Sequence, residues 1–407
     1  MRSTRRPAAP AVPVGDVGPK RRDVIVRPVP IAMVWQGGDT PHAAIAVPGV
    51  SLGPGDVLVA VELATVCPAD ALTVTGHGAA HVPLVLGHEQ VGRVAAIGDG
   101  ATTSEGSRLV VGMRVVWSRR IGCGECDACL AGAPSGCATA REYGADRLRR
   151  GWELSGGFAT HVLVRAGTTI IAVPEIVPAA VLAPVPCGTA LAAAAVEAVL
   201  ATTEIDGEDV VVRGADLVGL TVIAMLADEG ARVIVVDSDR ARRARARDFG
   251  AVAAAPDLSS VVADGRRLAA MIDAAHTPGL PVPHDDRDAL DPGDGAAIAS
   301  RILATDGIRV CIEHSHEAPV ESRRPAATRV DPAGGGGRCP EGERSLVIER
   351  PDPRHLSAAV AFVSNAWYRY PFEELVSVRY PLERLDDALH AAADGVALRV
   401  GIETPSR

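Results

Sequence analysis

Residues 210–237 read VVVRGADLVGLTVIAMLADEGARVIVVD, and this stretch decides the fold. A β-branched run, a glycine-bearing turn, an apolar segment of helical length and a second β-branched run follow one another without a break. That order predicts two parallel strands joined by a helical crossover, the repeating unit of a doubly wound α/β sheet. Outward from it, LAAAAVEAVLA and ARRARARDFGA predict flanking helices, and AVAAAP and DGIRVCIEH further strands. Past SLVIER come the helix PRHLSAAVAFVSNAW, the strand ELVSVRYP, the helix LERLDDALHAAADG and a last strand, LRVGIE. Residues 276–300 and 321–345 are rich in Gly, Pro or charged residues and predict long surface loops.

Upstream, between Ile31 and Val185, short β-branched runs such as DVLVAVELATV, GRVAAIG and GMRVVW alternate with Gly and Pro. They predict an antiparallel, strand-rich domain. The expected division is a disordered tail at 1–29, a β-rich domain at 30–185, a doubly wound domain at 186–345 and a return to the first domain at 346–407. A chain of 407 residues suits two domains. It is 47% hydrophobic but only 3% aromatic, so the core must be built from Ala, Val, Leu and Ile. The net charge of -9 and the absence of a broad basic stretch argue against nucleic-acid or anionic-membrane partners. No uninterrupted run of about 20 apolar residues appears, so no transmembrane helix is expected. The basic, Pro-rich start lacks an apolar stretch of signal-peptide length, and a cytoplasmic location is expected.

Cysteine placement carries the chemistry. Cys123, Cys126, Cys129 and Cys137 follow the pattern C-x2-C-x2-C-x7-C. Four thiolates from one loop can close a tetrahedron around Zn²⁺ with no open position, which makes a structural site; an iron–sulfur cluster is the competing reading. Gly122, Gly124, Gly132 and Gly136 permit the turns that such wrapping needs. Cys67, His88 and Cys187 are also residue types that suit zinc, although singly each reads equally as a buried thiol or a loop histidine. Cys311 and Cys339 have no partners at metal spacing, and His314 and His316 read as loop residues. The run Asp285–Asp288 and the arginines of 240–247 read as solvated faces.

The turn after Val212 matches the dinucleotide fingerprint Gly-x-Gly-x-x-Gly at Gly214 and Gly219, but Asp216 stands at the middle glycine. A carboxylate about 4 Å from a pyrophosphate is opposed by roughly 4 kcal/mol at an effective dielectric of 20, before screening. Asp237 ends the second strand, where an acid accepts from an adenosine ribose and favours NAD over NADP. The alternative is a helix cap, which Ser238 or Asp239 serves as well.

The cysteine loop, with LATVCPAD, VPLVLGHEQVGRV, GMRVVW, LSGGFATHVLV, residues 210–237 and RYPFEELVSVRYPLERLDDALHAA, resembles zinc-dependent medium-chain alcohol dehydrogenases. Within that superfamily LSGGFATH, GHEQVG and RYPFEELV look most like a subgroup associated with phosphonate catabolism. The resemblance implies a GroES-like catalytic domain with a structural-zinc lobe at 122–138, interrupted by a Rossmann domain. It implies that Cys67, His88 and Cys187 hold a catalytic zinc, with Glu89 beside it as a supporting or exchangeable ligand and Asp70 orienting the site. Gly214, Gly219 and Asp237 would cradle NAD, and Thr189 would touch the nicotinamide. Two zinc ions per chain, an alcohol or carbonyl substrate and a homodimer or homotetramer are likewise implied.

This chain departs from that family at Ala69 and Leu72, where a hydroxyl and often a histidine form a proton relay, and at CIEHSHEAP, where a small turn is usual. Neither Ala69 nor Leu72 passes a proton; His77 or a chain of waters is the available substitute. Two rival functions follow: a non-redox zinc enzyme of lyase, isomerase or hydrolase type, and a non-catalytic relative.

Overall fold

In the computed structural model the described residues are 21–77, 80–132, 134–263, 267–274, 303–312, 344–348 and 350–404. The expected loop at 276–300 and residues 321–343 of the one expected at 321–345 lie outside them, and with them Asp285–Asp288, His314, His316 and Cys339, as do residues 1–20 of the expected tail; Arg344 and Ser345 of the second expected loop instead begin strand Arg344–Ile348.

The first domain is built round the long strand Val57–Val66, which pairs antiparallel with Glu89–Ile97, His161–Val164 and Val400–Glu403. Arg114–Trp117 and Ile170–Ala172 extend the sheet on one side and Val378–Pro381 on the other. Register matters here. Thr65 lies opposite Glu89, and Val66 opposite Val400, so three strands from distant parts of the chain meet where Val57–Val66 runs into Cys67. Residues 22–24 of the expected tail at 1–29 instead form a strand. Arg22–Val24 pairs with Val50–Leu52, and the Arg21 guanidinium donates to the Ser51 carbonyl at 2.6 Å, because ladder hydrogen bonds order a chain start that composition alone leaves loose.

The second domain is a six-stranded sheet in the order Ala253–Ala255, Arg232–Val236, Asp209–Arg213, Leu268–Asp273, Leu303–Ile312, Arg344–Ile348. Every pairing in it is parallel. Its strands are apolar on both faces, as a parallel sheet covered by helices requires. The reversal between Asp209–Arg213 and Leu268–Asp273 is the topological switch point, where ligands of such sheets bind. The expected junction between 345 and 346 falls inside strand Arg344–Ile348, which completes the sheet. Helix Pro353–Ala366 then packs its Leu356, Ala359 and Val363 into the same core as Ala192 and Val212. The chain therefore rejoins the first domain only at Val378–Pro381.

Among the described residues one helical stretch, Ala179–Leu200, is long and apolar enough to cross a bilayer, although interspersed Pro, Gly and Thr keep it from being an unbroken apolar run. Its window is 94% buried inside the fold, so it is a core helix. Val185–Thr189 within it is a π-helical turn, which carries Cys187 and Thr189 from one domain into the other.

Candidate metal and dinucleotide sites

Cys67 stands at the N-cap of helix Pro68–Val74, directly after the central strand. His88 immediately precedes strand Glu89–Ile97, and Cys187 sits in the π-helical turn. Their ligand atoms all lie within 4.8 Å of one another, and all three residues are buried. The His88 Nε2 has no hydrogen-bond partner, an expensive state for a buried nitrogen unless a cation takes its lone pair. Asp70 sets the ring: its carboxylate lies 3.6 Å from His88 Nδ1 and accepts from the Cys67 amide at 3.0 Å and the Gly87 amide at 3.3 Å. One carboxylate thus ties two of the donors together, as outer carboxylates of metal sites do. The neighbouring Cys187 thiol, and then burial, push the Cys67 thiol up. Burial and the Arg119 guanidinium oppose a charged His88, but Asp70 and the Cys67 sulfur outweigh them and raise it to about 9. Such a donor set releases protons when it takes a metal. It fits zinc.

Glu89 is not brought into this set. Its carboxylate accepts from the Thr65 hydroxyl at 2.7 Å and pairs with Arg399 Nε at 3.0 Å, and both partners of the ion pair are buried. Arg399 escapes the sequence reading because it reads as the ordinary polar start of a strand. Its one signal is a charge set between apolar residues of LRVGIE.

Cys123, Cys126, Cys129 and Cys137 also place all four sulfurs within 4.8 Å of one another. Cys123 and Cys129 are 3.9 Å apart, close to the ~3.8 Å that a tetrahedron with 2.3 Å bonds requires. The backbone amides of Glu125 and Cys126 bring Cys123 down to about 6. Gly122 has no room for a side chain, since a Cβ there would lie 2.6 Å from Cys129 Sγ. The lobe fits a second zinc. Its stem is the ribbon Arg120–Ile121 against Arg141–Glu142, in which Arg120 faces Glu142.

At the nucleotide turn, Gly214 has φ +87°, and a Cβ on Gly219 would lie 2.0 Å from the Gly214 carbonyl, so strand and helix meet only because these are glycines. Asp216 is the N-cap of helix Leu217–Asp228 and accepts from the Gly219 amide at 3.0 Å. It therefore takes one of the donors that an anionic phosphate uses at such a helix start. Asp237 does not cap the next helix; Asp239 does, accepting from Ala241 and Arg242. The Asp237 carboxylate instead accepts from the Ala215 amide at 2.8 Å and the Asp239 amide at 2.9 Å, at the end of the second strand where a ribose would lie. The two glycines and Asp237 fit a dinucleotide, provided that Asp216 turns outward.

Cys67 and Cys187 line a cleft between the domains, together with Ala69, Arg119, Arg120 and Glu142. Leu72 is buried, and His77 bonds the Thr75 hydroxyl instead of lining this cleft.

Residues 53–175 match the family model for the alcohol dehydrogenase GroES-like domain. The geraniol dehydrogenase of Castellaniella defragrans is 29% identical over 86% of this chain and 91% of its own length. The first domain is thus similar to the alcohol dehydrogenase GroES-like family, and the chain along most of its length to a dehydrogenase. L-threonine 3-dehydrogenase of Streptomyces coelicolor is 32% identical over 54% of this chain, a match spanning 61% of that relative. In fold, the chain is similar to an alcohol dehydrogenase of Thermotoga maritima, with a TM-score of 0.77 at 23% identity over 92% of this chain and 99% of the other. These relatives are dehydrogenases by name.

Proposed function

We propose that this protein is a zinc-dependent dehydrogenase that moves hydride between an alcohol or carbonyl compound and NAD(H). The observation that carries the reading is the convergence of Cys67 Sγ, His88 Nε2 and Cys187 Sγ at an interdomain cleft beside a glycine-built nucleotide turn. When bound, zinc supplies Lewis acidity to a substrate oxygen and the nicotinamide supplies or accepts hydride. Cys67, His88 and Cys187 would hold the catalytic ion, and Cys123, Cys126, Cys129 and Cys137 a structural one. Asp70 keeps the His88 ring oriented. Thr189 would border the nicotinamide, and Asp237 would select NAD over NADP by repelling a 2′-phosphate. Since Ala69 and Leu72 carry no transferable proton, the substrate hydroxyl exchanges its proton with water in the cleft. The family resemblance supports a homodimer or homotetramer, and the phosphonate affiliation remains part of this proposal.

The test is oxidation of an alcohol panel by zinc-loaded protein, with NAD⁺ reduction followed at the nicotinamide absorbance. Zinc-dependent reduction of NAD⁺ is expected, and its absence across the panel overturns the reading. Asp216 on the helix start favours one second reading, zinc chemistry without net redox, in which substrate turns over with every dinucleotide removed.

A further inference from the structure

Pro134 belongs to the cysteine lobe, between the third and fourth thiols, yet it lines the interdomain cleft together with Cys67 and Cys187. Two contacts hold it there. The Cys137 amide donates to its carbonyl at 3.0 Å, which ties the proline to the fourth thiol. Its ring also lies against Gly122, where an added Cβ would stand 2.9 Å from Pro134 Cβ and 2.6 Å from Cys129 Sγ. The glycine is thus packed between the proline and the third thiol. A pyrrolidine ring has a fixed φ and almost no rotamer freedom, so a proline gripped on both sides presents a rigid apolar face at little entropic cost.

The charged groups of the cleft are engaged by protein. Glu142 pairs with Arg119 at 3.3 Å and with Arg120 at 3.1 Å, and Arg350 and Asp352 likewise have partners. The Ser118 hydroxyl donates to the Arg120 carbonyl at 2.9 Å. Apart from the metal donors, the lining left to receive a substrate is apolar, with Ala69, Pro134, Pro186, Ala190 and Leu191 in it. Ala69 and Pro186 stand within two residues of a metal donor in sequence, whereas Pro134 is rooted in a separate lobe.

We propose that Pro134 is a specificity-determining residue, whose ring packs on the hydrocarbon body of an uncharged alcohol or carbonyl compound while the oxygen end faces Cys67 and Cys187. The proposal rests on the dehydrogenase reading for the reacting end and on the place of Pro134 for the other. The cysteine lobe then walls the substrate cleft as well as holding its own metal. A wall of this kind acts by contact, so it discriminates by chain length: a short alcohol stops before it and a longer one packs against it.

The experiment follows kcat and KM for the straight-chain primary alcohols from propan-1-ol to hexan-1-ol, on zinc-loaded full-length protein with NAD⁺. For wild type, kcat/KM is expected to rise with chain length. Pro134→Ala trims the ring to a methyl group and should lower kcat/KM for hexan-1-ol about tenfold, through KM, with propan-1-ol unchanged. Pro134→Phe should shift the optimum to shorter chains. A proline that only braces the lobe would lower kcat for every alcohol together and leave the ratio of long to short unmoved. A wild-type ratio near one, or a ratio unchanged in either variant, overturns the proposal while leaving the dehydrogenase standing. If no alcohol is oxidised, the dehydrogenase reading fails by itself, and calorimetry with propanamide and hexanamide, neutral carbonyl compounds that are not turned over, decides. Hexanamide binding weakened about tenfold in Pro134→Ala, with propanamide unchanged, supports the wall. Hexanamide binding that is absent, or insensitive to the variant, overturns it.

Discussion

Arg399 Nε stands 3.0 Å from Glu89 Oε2 although 310 residues separate them, and both side chains are shut away from water. The pair exists because Val400–Glu403 docks against Val57–Val66, while Glu89 reaches the same place from the neighbouring strand. Removing one charge leaves the other buried without its hydrogen-bonded counter-ion. Glu89→Gln should therefore cost about 3–5 kcal/mol of stability. Urea unfolding measures it, and a loss below 1 kcal/mol would show that water reaches Arg399.

The two cysteine-rich sites should separate on metal removal. Purified protein is expected to carry two zinc ions per chain, with the lobe's four ligands from one loop holding the more tightly. Cys126→Ser should lower the melting temperature, since the lobe closes through its metal. His88→Ala should leave the fold intact and remove one zinc and the activity. Elemental analysis of each variant decides, and iron with sulfide in place of zinc would reassign the lobe.

Much of this architecture is legible in the sequence, because each signal is local. The strand–helix–strand of residues 210–237 and the spacing of Cys123 to Cys137 lie within short segments whose chemistry is self-contained. What escaped depends on register. Nothing near Arg399 names Glu89, and nothing near Arg120 names Glu142, because each pairing is fixed by which strands lie side by side. The boundary expected at 345 was misplaced for the same reason: SLVIER reads as a strand, but not as a strand of one sheet or the other. Asp216 is the mixed case. Its clash with a phosphate follows from its position, whereas its bond to the Gly219 amide follows from the geometry of the cap.

That cap yields a binding prediction. Asp216→Asn keeps an acceptor for the Gly219 amide but removes the charge, so NADH affinity should rise at least about tenfold, a fraction of the ~4 kcal/mol that an unscreened contact would cost. Asp216→Gly should tighten binding too and lose only about a few tenths of a kcal/mol of cap stability relative to wild type. Fluorescence titration with NADH and NADPH reads both effects. NADPH binding as well as NADH would remove the selective role given to Asp237.

Acid should weaken the fold through His355. Burial holds its imidazole below the ordinary 6.5, and Nδ1 accepts the Asp352 amide at 2.8 Å, a bond that protonation at that nitrogen would forbid. With the folded value lowered, the unfolded chain takes up the proton first as pH falls. Stability that is full above 6.5 is lost between 6.5 and the lowered folded value. Thermal melts from about pH 7.5 to about pH 5.5 should fall, and His355→Gln, which keeps an acceptor but does not titrate, should fall less steeply. Equal slopes would exclude His355 as a contributor.

The missing relay gives the last test. Ala69 lines the cleft where the family has a hydroxyl, and Leu72 is packed into the interior, so no described side chain at those two positions conducts a proton away from the substrate. Hydride transfer from an alcohol still requires that proton to leave, and here bulk water and buffer must accept it. Turnover should therefore rise steeply with pH and with the concentration of a small buffer base. Ala69→Ser restores one hydroxyl beside Cys67 and should raise kcat while making it less dependent on buffer. A rate already independent of buffer in wild type would mean that another group, within or outside the described residues, carries the proton. If product instead forms with zinc present and all dinucleotide stripped away, hydride transfer is not the chemistry, and the relay is missing because no relay is needed.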